Sequence, residues 1–104
     1  MESTATVALR VARVRALAAE RGVRANAELP VSRFDELAPL HPAAWDILER
    51  RLFEGTLSAR GLHRVRRVAR TLADLDGAVD VIGEEHVCAA LELRLEHHEL
   101  GLAS

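Results

Sequence analysis

Apolar residues recur at intervals of three and four along most of the chain, the spacing that places side chains on one face of a helix. Val7, Val11, Val14, Leu17 and Ala18 keep this period with Arg10, Arg13 and Arg21 outside it, so a first helix is predicted over residues 5–21, stopped by Gly22. From Val23 to Pro30 the period is lost and the segment reads as a connector. Ser32, with Asp35 three residues on, has the form of a capping box for a short helix, which Pro39 and Pro42 bring to an end. A third helix starts near Pro42 and carries Trp45, Leu48, Leu52 and Phe53 on one side. Asp46, Glu49, Arg50 and Glu54 occupy the others, and Gly55 closes it.

The stretch LSARGLHRVRRVARTLADLDG, from Leu57 to Gly77, predicts a fourth helix with Ser58 as N-cap. Its buried stripe is expected to be Leu62, Val65, Ala69 and Leu72, with Val68 and Leu75 beside them. After Gly77, Val79 to Ile82 is too short for more than an extended bridge. Glu84 begins a fifth helix with Val87, Leu91 and Leu95 inward, and residues 97–104 have no strong pattern and are expected to form a flexible tail. No internal repeat interrupts this order. The pattern predicts an all-α fold, a small bundle of four to five helices forming a single domain over residues 1–104.

Composition narrows the function. The chain has a formal net charge of −2 and 14 basic residues, all of them arginine. Without lysine there can be no glycine-rich phosphate loop ending in Lys-Ser or Lys-Thr, so nucleotide hydrolysis by that route is excluded for this polypeptide alone. Its five histidines form no i, i+4 pair of the kind a helical zinc site uses, and no metal site is expected. No serine lies in a nucleophile context, so no catalytic residue is assigned. The single Cys88, among Val87, Ala89 and Leu91, reads as a small buried hydrophobe and cannot form an internal disulfide, as suits a cytoplasmic protein. The amino-terminal segment, with charges through its apolar positions, has the form of neither a signal peptide nor a membrane span. Three aromatic residues (Phe34, Trp45 and Phe53) are too few for a base-stacking surface.

Five arginines, Arg60, Arg64, Arg66, Arg67 and Arg70, fall within eleven residues of the fourth helix. Helical spacing sets Arg60, Arg64 and Arg67 along one flank and His63, Arg66 and Arg70 along another. Arg60 lies in the first turn, where a cation opposes the helix dipole at a cost of roughly 0.3–1 kcal/mol. An anion at that end would remove the conflict, meeting free N–H groups and guanidinium together. The alternative is a solvated charged face partnered by Asp74, Asp76 and acids of other helices. Two further readings use the same helix 58–75: a small nucleic-acid-binding module gripping a duplex backbone with both flanks, and an oligomerisation surface.

Leu57-Ser58-Ala59-Arg60, Arg64-Val65 and the run Arg67-Val68-Ala69-Arg70-Thr71-Leu72-Ala73-Asp74-Leu75 together resemble the C-terminal domain of magnesium chelatase-like AAA+ ATPases, the ComM/YifB type in particular. The resemblance extends upstream to Asn26-Ala27-Glu28-Leu29 and downstream to Ile82–Leu91, and covers residues 6–95. Leu62 stands where an aromatic is usual and Arg66 where an aliphatic is typical. The resemblance implies an AAA+ lid-type domain that couples nucleotide state to motion of the motor, with the arginine of Ser-x-Arg, here Arg60, as the sensor-2 residue at the ATP γ-phosphate. It implies that Arg64 and Arg67 support Arg60 or meet a neighbouring subunit. ATP and magnesium are implied for the full-length protein and none for this chain alone. The implied partners are the AAA+ core of the same polypeptide, a ring of identical subunits and, on the ComM-like side, DNA.

Overall fold

The computed structural model describes residues 3–77 and 80–99, with side chains described as far as residue 94. Five α-helices follow one another: α1 (Thr4–Glu20), α2 (Phe34–Leu37), α3 (Pro42–Phe53), α4 (Ala59–Leu75) and α5 (Glu84–Glu99). Two single 3-10 turns, Asn26–Glu28 and Val31–Arg33, carry the chain from α1 to α2. The predicted all-α bundle is thus the fold observed. Ser3 caps α1 by accepting from the Thr6 amide, and Gly22 and Gly55 end α1 and α3 at positive φ, as the left-handed region requires.

Helix α4 is the central element, packed against α1, α3, α5 and the Asn26 turn. Its buried positions run in two columns four residues apart: Gly61, Val65, Ala69 and Ala73 in one, Leu62, Arg66, Arg70 and Asp74 in the other. The small residues of the first column let neighbouring helices approach closely. Leu48 and Ala44 of α3, Val87, Ala90 and Leu91 of α5, Leu57, Ala38 and Ile82 complete the core. The expected bridge is present: Ile82 pairs in parallel with Leu40, its amide donating to the Pro39 carbonyl (2.8 Å) and its own carbonyl accepting from the His41 amide (2.9 Å).

Several expectations are corrected. On α1, Val7 and Val11 stay exposed, Val14 and Leu17 are half-buried, and Ala18 alone of the five is buried, because α4 and the Asn26 turn cover only the carboxyl-terminal end of the helix. The capping box at Ser32 does not form: a 3-10 turn occupies that stretch, and Arg33 precedes α2 without a side-chain cap. On α3 the inward residues are Ala44 and Leu48, with Trp45 and Ile47 beside them; Phe53, five residues past Leu48 and so roughly 140° around the helix, is 94% exposed. Leu52 is exposed too, and so is Val68 on α4, which lies outside both columns. Cys88 is exposed rather than buried, since the inward stripe of α5 is Val87, Ala90 and Leu91 and Cys88 is rotated off it. Residues 97–99, expected in the tail, continue α5; the expectations for Val79, for the Leu95 side chain and for residues 100–104 fall outside the described residues.

Candidate functional site

The arginines of α4 divide into two groups with different surroundings. Arg66 is buried: its Nε donates to the Ala38 carbonyl (3.0 Å), one terminal nitrogen meets Asp35 (3.2 Å), and its guanidinium lies 5.2 and 5.1 Å from the ring centroids of Phe34 and Trp45. Arg70 is also buried, pairs with Asp74 at 3.1 Å, and donates to the carbonyls of Asp80 (2.9 Å) and Leu37. Both cations thus reach carbonyls left open at the close of the single-turn α2. Arg67 is half-buried, donates from Nε to the Leu29 carbonyl (2.9 Å) and lies over Phe34.

Asp74 is the acceptor that closes this network. It takes a two-pronged contact from Arg21 (2.7 and 2.8 Å) and a hydrogen bond from the Asn26 amide (2.8 Å), in addition to Arg70. Burial opposes its charge, but the donors from Arg21 and Asn26 and the charge of Arg70 outweigh burial and hold its pKa below the ordinary aspartate value. Burial has the larger say at Arg70, whose pKa is lowered despite Asp74. This network pins the far end of α4 to α1 and to the Asn26 turn.

At the near end the surroundings differ. Leu57 is buried and anchors the entry, and Ser58 accepts the Gly61 amide on Oγ (3.0 Å) and the Leu62 amide on its carbonyl (2.8 Å). The amides of Ala59 and Arg60, as first-turn donors, have no acceptor within the helix. No acid stands in this turn. Arg60 is exposed and makes no hydrogen bond or ion pair among the described residues, and the same holds for Arg64 one turn on. The structure therefore leaves Arg60 and Arg64 facing outward together, while Arg67 is turned to the connector. From α5, Arg94 brings a terminal nitrogen to 3.6 Å from the point a Cβ on Gly61 would occupy. Arg94 is itself exposed, three residues past Leu91 on α5.

The duplex-gripping reading loses its second flank, because Arg66 and Arg70 are interior side chains. The solvated-face reading fails for the same two residues: Asp74 is indeed a partner of Arg70, but a fully buried one, and Asp76 turns to His86 instead. Asp76, Glu85 and His86 converge closely enough to suggest metal ligation. The geometry there serves the start of α5: His86 Nδ1 accepts from the Gly83 amide (2.9 Å), which leaves the proton on Nε2, facing Asp76 at 3.1 Å. A cation bound at Nδ1 would have to displace that amide.

This small helical domain, built around one central helix, matches a known family. The family model described as "Magnesium chelatase, subunit ChlI C-terminal" matches residues 1–94, and the chain belongs to that family. Among curated relatives it is 33% identical over 93 residues to "Competence protein ComM" of Haemophilus influenzae, covering 89% of this chain and 18% of that protein. It is 41% identical over 97 residues to uncharacterised proteins of Mycobacterium bovis and Mycobacterium tuberculosis, again covering 89% of this chain and 19% of theirs. The chain thus spans about a fifth of the length of these relatives. No solved structure matches it. Among the described residues, no helix is long and apolar enough to cross a membrane.

Proposed function

We propose that this chain is the helical lid of an AAA+ ATPase of the magnesium chelatase and ComM kind, and that Arg60 is its sensor-2 residue, directed at the γ-phosphate of bound ATP. The observation that carries the reading is the division of α4: Arg66, Arg67 and Arg70 are held by carbonyls and Asp74, whereas Arg60 stands at the helix start without a partner among the described residues, beside amides with no acceptor within the helix. A guanidinium so placed fits a phosphate oxygen through a two-pronged contact.

ATP with magnesium, held by the ATPase core, supplies the phosphoryl group and the free energy of its cleavage. Arg60 binds the terminal phosphate and draws the start of α4 towards the core. Because Asp74, Arg21 and Asn26 fix the other end of α4, the helix carries α1 and the connector with it as one body. Loss of the terminal phosphate frees Arg60 and lets the lid turn back. Arg64, exposed on the same side, supports Arg60 or meets the adjacent subunit of a ring. The domain alone supplies one arginine and a helix end, a fraction of a phosphate shell, so it hydrolyses no ATP and binds nucleotide weakly.

The test is ATP turnover in a polypeptide joining this domain to its ATPase core. Arg60→Ala lowers turnover by up to about 10³-fold, the low end of what an arginine supplied to a transferring phosphoryl group contributes. Equal turnover in variant and parent removes Arg60 from the mechanism.

A further inference from the structure

Phe53 closes α3 with its ring in solvent, 94% exposed. Helical spacing sets Asp46, Glu49 and Phe53 on one face of that helix, at intervals of three and four, and Glu54 follows. Asp46, Glu49 and Glu54 are exposed and make no ion pair among the described residues, and Arg50, three residues before Phe53, offsets one of their charges. The outer side of α3 is thus an aromatic knob in a net acidic setting. A single exposed ring carries no meaning by itself; the surface at the other end of α4 gives it one. There an open, mainly apolar groove of about 330 Å³ lies between α1, the connector and the last turn of α4, lined by Val11, Val14, Ala18, Ala25, Ala27 and Leu75. Arg15 and Arg24 border it; Arg24 is paired with Glu28, whereas Arg15 makes no hydrogen bond or ion pair among the described residues. From Thr4 to Arg13 every residue of α1 is exposed, and Val7 and Val11 extend the apolar stripe past anything that covers it. Arg10, Arg13 and Arg15 are the charges of this helix before Glu20, so the uncovered half holds no acid.

We propose that the groove between α1 and the last turn of α4 takes Phe53 of a second copy of this chain, so that these domains associate head to tail. Knob and groove are complementary in hydropathy and in charge: a phenyl ring set among Asp46, Glu49 and Glu54 meets an apolar slot beside Arg15 and the acid-free half of α1. They do not satisfy one another within one chain, where Phe53 stays in solvent and the groove stays open. Because the two surfaces differ, the contact is heterologous and repeats from copy to copy, closing as a ring or continuing as a row. The inference goes beyond the reading of Arg60 and does not use that residue. One anchor of this kind makes a small interface, weak between free chains and effective where a ring holds neighbours close.

Self-association of the chain, followed by sedimentation and by NMR of the isotope-labelled protein from about 20 μM to about 2 mM, tests it, a range that brackets the affinity of one small contact. As the chain is concentrated, the amides of Ala25, Ala27 and Leu75 shift along the same curve as those of Phe53 and Glu54, and added salt weakens the association by screening its charges. Phe53→Ala, which removes the knob, and Val11→Glu, which puts a carboxylate at the groove, each weaken association at least about tenfold. Both sites are exposed, so the helical circular dichroism of the variants is unchanged. Arg15→Glu acts in the same direction as Val11→Glu. An equimolar mixture of Phe53→Ala and Val11→Glu regains a one-to-one pair, because the first keeps its groove and the second its knob. A chain that stays monomeric at the upper concentration, association that survives Phe53→Ala, or a mixture that pairs no better than its components overturns the proposal. Arg60 keeps its role in each of these cases, because that role is read from ATP turnover.

Discussion

Asp74 decides more of this fold than any apolar residue of α4. It is fully buried, and Arg21, Asn26 and Arg70 reach it from α1, the connector and its own helix. Replacing it with asparagine keeps the shape and removes the charge that balances two guanidinia. Uncompensated buried charge typically costs about 3–5 kcal/mol, so Asp74→Asn is expected to unfold at far lower denaturant than the parent. Its effect on acid stability has a definite sign. The folded pKa lies below the ordinary value of 3.8, so the carboxylate's contribution is complete above that value and is lost as pH falls through the lowered folded pKa. The parent loses stability in that window and Asp74→Asn lacks this part of the loss; parallel acid limbs in the two proteins would show that Asp74 is not the group responsible. Arg66, Arg70 and Asp74, in the column that Leu62 begins, were the part of the core the sequence concealed. A guanidinium scores as polar, yet its stem and planar head can be interior wherever carbonyls and rings await it, as Ala38, Leu37, Phe34 and Trp45 do here.

At the scale of elements, α1, α3 and α4 were legible because their periods are strong and a glycine at positive φ follows each, and α5 was legible from its period; the single-turn α2 was expected only from a cap that does not form. What a period does not reveal is how far along its length a helix is covered. On α1 the apolar stripe continues through Val7 and Val11, yet the helices that could cover it reach only its other end. On α3, Leu48 and Phe53 were read as one face, but Leu48 is buried and Phe53 is solvent-exposed. Leu48→Ala is therefore expected to cost about 2–5 kcal/mol, and Phe53→Ala about 0.5 kcal/mol or less, in denaturant unfolding of the two variants. Comparable losses would mean that Phe53 is covered in solution and that the end of α3 packs differently. The Ser32 motif failed for a local reason: the turn Val31–Arg33 takes the residues a capping box needs. Ser58 succeeded because its hydroxyl faces the Gly61 amide.

At the scale of the whole molecule, the two ends of α4 have opposite duties. The Asp74 end is closed by buried partners and holds the domain together. The Ser58 end was legible as a capped helix start with an arginine in its first turn, whereas its approach to α5 depends on how the two helices cross, which no local pattern encodes. This division gives Arg60 an unusual sign in stability. It touches no partner among the described residues, it places a cation at the positive end of the helix dipole, and alanine is the better helix former. Arg60→Ala should therefore stabilise the isolated domain by about 0.3–1 kcal/mol, while lowering turnover when the domain is joined to its core. Thermal or denaturant unfolding of the chain, at low ionic strength where the dipole effect is least screened, reads the first half. A destabilised Arg60→Ala domain would mean that the guanidinium packs against its own fold, and the loss of turnover could then be structural. A more stable domain with a slower motor would mean that position 60 is kept for its ligand at the expense of the helix that carries it.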